Sequence, residues 1–282
     1  MYKHVEFSGL VPIFSSQAGR CLTAENWQDV GIKVASYSLA SLLMKPGLDF
    51  LSTLPDLATY VGWPGMIVLN ASMPVIDDQG GYSLRSQYDG SRSYYAIDEL
   101  LGLMAALCPQ YVIMPQGVLQ YGKNAWQSLP DTIFPFFPIS DRPEPSEQRP
   151  YGLYFFYDQQ TLPFDALKQQ LAQCIGLPCY VGGDLSLVML RELGRCGVQY
   201  LESDRPADDA CLGTVYTSEG NVSISDGLQA LQFEVIDKDC HCPTCSQQFT
   251  RAYLHHLLEH TPLLCQRLLV QHNVHFVSLL QG

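Results

Sequence analysis

Short apolar runs alternate with longer amphipathic stretches over most of this chain. Val11–Phe14, Ile32–Ala35, Met66–Leu69, Tyr111–Met114, Tyr151–Tyr157, Cys179–Val181 and Val198–Leu201 have the length and the β-branched or aromatic content of buried strands. Between them, Thr23–Val30 opens with Thr-Ala-Glu-Asn, a capped helix start, and Ser38–Met44, Asp98–Leu107, Phe164–Ile175 and Leu185–Arg195 carry helical spacing. Strand followed by helix, repeated, implies a parallel sheet with covered faces. Over residues 1–237 a (β/α)8 barrel and a doubly wound sheet both fit, and periodicity does not choose between them. The proline-rich stretch Pro138–Pro150 is expected as a surface loop. Residues 238–282 break the alternation: Thr250 can cap a helix over Arg251–Leu258, and a second helix is expected over Pro262–Val270.

Composition narrows the function classes. With 47% hydrophobic residues among 282 the chain can bury a real core. No apolar stretch approaches the ~18 residues of a spanning helix, and Met1–Glu6 lacks the apolar core of a signal peptide. The expectation is a cytoplasmic protein with no membrane partner. A net charge of −12 argues against sequence-blind nucleic-acid binding, which draws its affinity from phosphate neutralisation. The charge is uneven: residues 238–282 set Lys238, Arg251 and Arg267 against Asp239 and Glu259, a net of +1, leaving −13 for the rest. His241, His255, His256, His260, His272 and His275 share that last segment, and only His4 precedes it. No Ser-His-Asp or Cys-His machinery can be built within residues 5–240 alone, so any chemistry there falls to carboxylates.

Cys240-His-Cys-Pro-Thr-Cys245 places three thiols within six residues. The other seven cysteines, Cys21, Cys108, Cys174, Cys179, Cys196, Cys211 and Cys265, are scattered and read as small apolar residues in a reducing compartment. A helical hairpin returning a histidine to the three thiols would complete a closed, tetrahedral structural Zn2+ site with no open position for water. Spacing favours His272, with His275 and His241 as rivals.

Asp239–Cys245, Thr250–His256 and His272-Asn-Val-His-Phe276 together resemble the carboxyl end of the tRNA-guanine transglycosylases (queuine tRNA-ribosyltransferases). Gly213–Gly220, Gly182-Gly183, Arg85–Ser91, Trp63-Pro-Gly65 and Lys45–Asp49 look like further landmarks of that family in the same order. The resemblance covers nearly the whole chain, which is shorter than typical members, chiefly between Gly117 and Gly182. It implies a (β/α)8 barrel over residues 1–237, a zinc-binding helical subdomain over 238–282, and a zinc shell of Cys240, Cys242, Cys245 and His272. The family's reaction exchanges guanine in tRNA for a 7-deazaguanine base: an aspartate attacks the ribose C1′ and a second acid assists.

The working positions are substituted. The family's nucleophile segment, Gly-Val-Asp-x-Phe-Asp, is matched by Gly197-Val-Gln-Tyr-Leu-Glu202, so Glu202 stands at the nucleophile's place. Its extra methylene displaces the carboxylate, and a shift of ~1 Å can cost on the order of 100-fold in rate. The second acid position falls on Asn70, which is neutral. Asp77-Asp78 falls in the following loop and reads as two solvated carboxylates. Near Met114–Gly117, where a base-recognising acid is expected, neither Gln116 nor Gly117 is acidic. Two arginine positions that hold the anticodon loop fall at Asp208 and Cys211, which weakens any case for tRNA as a partner. Gly182 and Gly183 still permit close backbone approach to a ligand.

Three functions follow. The first is a non-catalytic paralogue that pairs with itself or an active family member, since family members pair through surfaces including the zinc region. The second is an enzyme using Glu202 on an altered base or nucleic acid. The third is a binder of a purine-like ligand.

Overall fold

The computed structural model describes residues 9–280 apart from 75, 122–124, 145–148 and 175. His4 and Ile175, named above, and part of the proline-rich stretch lie outside the described residues. Eight parallel strands define the fold: β1 (Gly9–Val11), β2 (Val34–Ser38), β3 (Met66–Asn70), β4 (Tyr111–Ile113), β5 (Phe134–Pro138), β6 (Gly152–Tyr157), β7 (Cys179–Gly183) and β8 (Tyr200–Glu202). They belong to one sheet in the order β1–β8–β7–β6–β5–β4–β3–β2. From β2 to β8 each strand lies beside its successor, without the reversal that marks the switch point of a doubly wound sheet. The fold is α/β, a nearly closed (β/α)8 barrel with a C-terminal helical part carrying a Cys3His cluster.

The chain divides into two compact units, one spanning Val34–Gly182 and the other joining the residues up to Lys33 with those from Gly183 onward. In the first, Val34 lies opposite Met66, Val68 opposite Tyr111, Tyr111 opposite Phe134 and Phe136 opposite Gly152, all in parallel register. Trp63, a sequence landmark, is buried and donates its indole N–H to the Met66 carbonyl (3.0 Å), fixing the start of β3. Strand β5 was not foreshadowed by periodicity. Its Phe-Pro-Phe-Phe-Pro sequence has no alternation, and proline is usually kept out of inner strands. Burial decides instead: Phe136 and Phe137 are fully enclosed, and Phe136 packs edge-on against Tyr180 at 5.3 Å. Gly152 is required beside them, because a Cβ there would collide with the Phe136 ring.

The stretch Pro138–Pro150 departs from expectation at its end. Arg149 is buried, and its guanidinium donates to the carbonyls of Leu129 (2.6 Å), Pro130 (2.8 Å) and Ile133 (2.8 Å). A charged side chain is buried this deeply only when its donors are met. The Arg85–Ser91 landmark forms the tip of an antiparallel hairpin, Gly81–Arg85 with Arg92–Ala96.

In the other unit β1 pairs with β8, setting Val11 opposite Glu202. Thr23 and Asn26 form the expected capping box, and Thr250 Oγ1 accepts from the Tyr253 N–H (3.2 Å) to start the helix Arg251–His260. The last helix runs much further than the spacing predicts, over Pro262–Leu279. His272 therefore sits on that helix rather than beyond its end. The apolar continuation Leu268, Leu269, Val270, Val274 and Val277, all buried, carries the helix through the polar trio Gln271-His272-Asn273.

Candidate metal centre and strand-end site

The thiols of Cys240, Cys242 and Cys245 and the imidazole of His272 come together, with all four ligand atoms within 4.8 Å of one another and all four residues buried. Local sequence builds the knuckle. Cys242 caps the short helix Pro243–Ser246, its Sγ accepting from the Cys245 N–H at 3.4 Å, and the Cys242 N–H points at Cys240 Sγ at 3.5 Å. Thr244 Oγ1 donates to the Leu268 carbonyl (2.7 Å), tying the knuckle to the helix that bears His272. His272 Nδ1 lies 3.6, 3.5 and 3.4 Å from the three sulfurs. Bond lengths of about 2.3 Å for Zn–S and 2.05 Å for Zn–N, at tetrahedral angles, give a nitrogen–sulfur edge of about 3.5 Å. The donor set and its spacing fit a tetrahedral metal ion. Hydrogen bonds from the Cys240 and Cys245 side chains, aided by backbone N–H groups of the knuckle, hold the Cys242 thiol well below the usual thiol range. His241 is exposed and His275 lies one turn further along the helix, so the rivalry among histidines resolves to His272.

The shell around the ligands is equally built. His272 Nε2 lies 2.7 Å from the Tyr216 carbonyl, which fixes the Nε2–H tautomer and leaves Nδ1 free to ligate. The neighbouring Asn273 accepts from the Tyr216 N–H (3.0 Å) and donates to the carbonyls of Pro206 (3.0 Å) and Thr214 (2.9 Å). At its other end the Tyr216 phenol donates to Asp209 (2.7 Å), Asp209 accepts from Arg205 Nε (2.9 Å), and Arg205 reaches Asp184 (3.2 Å). A continuous set of hydrogen bonds thus runs from the cluster to the helix Arg205–Cys211, which begins directly after Glu202 and Asp204.

The positions singled out for catalysis lie at the C-terminal ends of parallel strands, the end where barrel enzymes carry their chemistry. Glu202 closes β8 and is only 3% exposed. Gly182 and Gly183 close β7, and Gly183 adopts a φ of 136° that disfavours a side chain. Asn70 closes β3, and its Oδ1 accepts from both the N–H (3.0 Å) and the hydroxyl (2.6 Å) of Ser72. Asn70 and Glu202 belong to different units. Asp77 is not a solvated loop carboxylate: it is half-buried, and its Oδ1 accepts from the N–H groups of Gln79 and Gly81 to shape the turn into the hairpin. Asp78 is exposed.

Two acids were missed. Asp204 accepts from the Ile13 N–H (3.2 Å), and burial pushes its pKa up to about 7, against a pull downward from Ser16. Nothing in its sequence context marks it, because the proximity of Ile13 and Ser16 arises from the pairing of β1 with β8. Asp141 fills the turn where an acid was sought at Gln116-Gly117: its Oδ2 accepts from the Gly117 N–H (3.0 Å), and burial raises its pKa. It arrives from the end of β5, a strand the pattern did not announce. Asp208 and Cys211 lie on the helix Arg205–Cys211, and Asp208 is raised by burial and by the nearby Asp209 and Asp184 carboxylates.

Comparison with known proteins agrees with this architecture. Residues 164–281 match the family model described as queuine tRNA-ribosyltransferase. Over its whole length the chain is similar to curated queuine tRNA-ribosyltransferases. The protein from Dehalococcoides mccartyi strain BAV1 is 25% identical over 97% of this chain and 80% of its own length. Those from Thermoanaerobacter pseudethanolicus and Thermotoga petrophila are 21% and 22% identical, covering 97% and 98% of this chain and 84% and 86% of their own. The carboxyl-terminal part of the chain matches the queuine tRNA-ribosyltransferase model, and nearly the whole chain is similar to curated proteins of that name. Among the described residues no helix is long and apolar enough to cross a membrane.

Proposed function

We propose that this chain is a tRNA-guanine transglycosylase scaffold that has lost ordinary guanine exchange and serves as a zinc-bound partner subunit in the cytoplasm, pairing with a family member. Residues 1–237 form the barrel part and 238–282 the subdomain that holds Zn2+ through Cys240, Cys242, Cys245 and His272. The observation that carries the reading is the contrast at the strand ends. Asn70 is neutral, with its carbonyl oxygen engaged by Ser72, while Glu202 is almost fully enclosed. A nucleophile needs access to the ribose carbon, and a neutral amide cannot take up a proton in its place. Asp208 and Cys211 supply no cation for an RNA phosphate, so tRNA contact would be weaker than in the family's enzymes. Leu228, Leu231 and Phe233, each more than 70% exposed, supply apolar surface of the kind that subunits cover.

One observation favours a second reading. Asp204, two residues beyond Glu202, has a pKa near 7, suited to proton transfer at neutral pH, and an enzyme using Glu202 on an altered base or nucleic acid would need such a group. Incorporation of labelled guanine into bulk tRNA, compared with the Glu202→Ala variant, separates the two. Incorporation that the substitution abolishes would establish Glu202 as a nucleophile and overturn the partner reading. No incorporation by either folded, metal-loaded protein is the expected result.

A further inference from the structure

Four of the scattered cysteines are not buried apolar fillers: Cys108 and Cys196 are exposed, and Cys21 and Cys211 line a cavity. The unit formed by residues up to Lys33 and from Gly183 onward contains an open cavity of about 800 Å³. Arg20 and Cys21 line it from the segment after β1, Asp208 and Cys211 from the helix Arg205–Cys211, and Leu263 and Gln266 from the last helix. Both cysteines are half-exposed. Far apart in sequence, they line the same cavity wall, where the Cys21 thiol donates to the Gln17 carbonyl (3.8 Å) and lies close enough to Cys211 to raise its thiol. Both backbones are held. The Cys21 N–H donates to the Ala18 carbonyl (3.1 Å), and the Cys211 carbonyl accepts from Gln266 Nε2 (3.1 Å). By contrast, Cys265 is enclosed and bonded to the Leu254 carbonyl at 3.2 Å, the ordinary state of a core thiol.

We propose that Cys21 and Cys211 form a dithiol that small disulfide-containing molecules entering this cavity oxidise to an intramolecular disulfide. The cavity volume falls within the range of about 300–1,000 Å³ that holds small ligands, so a low-molecular-weight disulfide can reach the sulfurs. Cys21, as thiolate, attacks one sulfur of the small disulfide; a protein–small-molecule disulfide forms and one small thiolate leaves. Cys211 then gives up its proton and attacks the Cys21 sulfur; the second small thiolate leaves. The two protons from the cysteines end on the two small thiols, and the small disulfide is the oxidant for both electrons. Burial, Cys21 and the nearby Asp208 and Asp204 carboxylates all raise the Cys211 thiol, which favours Cys21 for the first attack and leaves Cys211 the second, resolving one. The bond would fasten the helix that follows Glu202 to the segment that follows β1.

The test treats the full chain with oxidised glutathione, blocks free thiols by alkylation and maps peptides without reduction. The expected result is a Cys21 peptide joined to a Cys211 peptide, reversed by dithiothreitol, with the metal content unchanged. Cys211→Ser should instead accumulate glutathione on Cys21, because the resolving thiol is gone. Exposed Cys108 and Cys196 report in the same digest that the oxidant acted. Glutathione held separately on Cys21 and Cys211 with no joined peptide, or no reaction at either while Cys108 and Cys196 react, would overturn the proposal.

Discussion

The metal cluster and the strand ends of the barrel are built to different standards. At the cluster the ligands are braced: backbone N–H groups aim at the Cys240 and Cys242 sulfurs, a carbonyl fixes the imidazole tautomer, and an adjacent asparagine braces that carbonyl's own residue. At the strand ends Glu202 is enclosed and Asn70 is turned to local hydrogen bonding. A fold's scaffold and its chemistry answer to different demands. Losing a buried ligand leaves thiols and an imidazole without partners, and the C-terminal helices lose their anchor. Replacing a catalytic acid leaves the core intact.

The comparison can be broken most sharply at the metal. Chelation, or Cys242→Ser, is expected to unfold the region from residue 238 onward, on the scale of ~10 kcal/mol that structural zinc supplies to small domains. Hydrogen exchange would read the loss, and metal analysis should find about one zinc per chain before treatment. A metal-free protein with the C-terminal helices fully protected would defeat the zinc assignment.

The next effect concerns Asp204. Burial lifts its pKa from 3.8 to about 7 in the folded state, so the folded protein holds the proton more tightly than the unfolded chain. Its contribution is greatest below pH 3.8 and is lost as pH rises through about 7, amounting to at most ~4 kcal/mol. Denaturant melts across that window should show Asp204→Asn with a flatter stability profile than the parent. Parallel profiles would show that the carboxyl is solvated.

Tyr216→Phe removes the phenol that bridges to Asp209 while sparing the carbonyl that faces His272. A loss of about 1–2 kcal/mol is expected, with metal content unchanged and faster exchange in the helix Arg205–Cys211. Unaltered exchange there would mean that the hydrogen-bonded path from cluster to helix carries nothing. The smallest effect is expected for Glu202→Ala in the guanine assay, where parent and variant should both stay at background.

How much was legible depended on how local each feature is. The knuckle Cys240–Cys245 is a contiguous motif with its own cap, and seven of the barrel strands overlap short apolar runs bounded by turns, so both could be read directly. Strand β5 was hidden because Phe134–Pro138 looks like a loop and becomes a strand only through the neighbours that bury Phe136 and Phe137. Arg149 looked solvated for the same reason: the carbonyls that satisfy it come from Leu129, Pro130 and Ile133, which no pattern links to it. Asp141 and Asp204 acquire their settings from chain segments brought in by the sheet, and a pKa set by burial leaves no mark in one dimension. The choice between barrel and doubly wound sheet likewise needed strand order, which periodicity does not contain.

The last helix has a consequence for how this chain can change length. His272 and Asn273 serve two different partners from adjacent positions, the thiols on one side and the backbone N–H of Tyr216 on the other. One residue inserted between Leu268 and His272 would rotate both by about 100° against the knuckle and slide them by about 1.5 Å. Neither partner could follow, because the knuckle is pinned by Thr244 to Leu268 on the same helix. The helix therefore acts as a phase-locked ruler between Leu268 and Asn273, intolerant of any indel that is not a whole number of turns. The bend at Thr261, where the two helices meet, has no such constraint and is the place where this region can gain or lose residues.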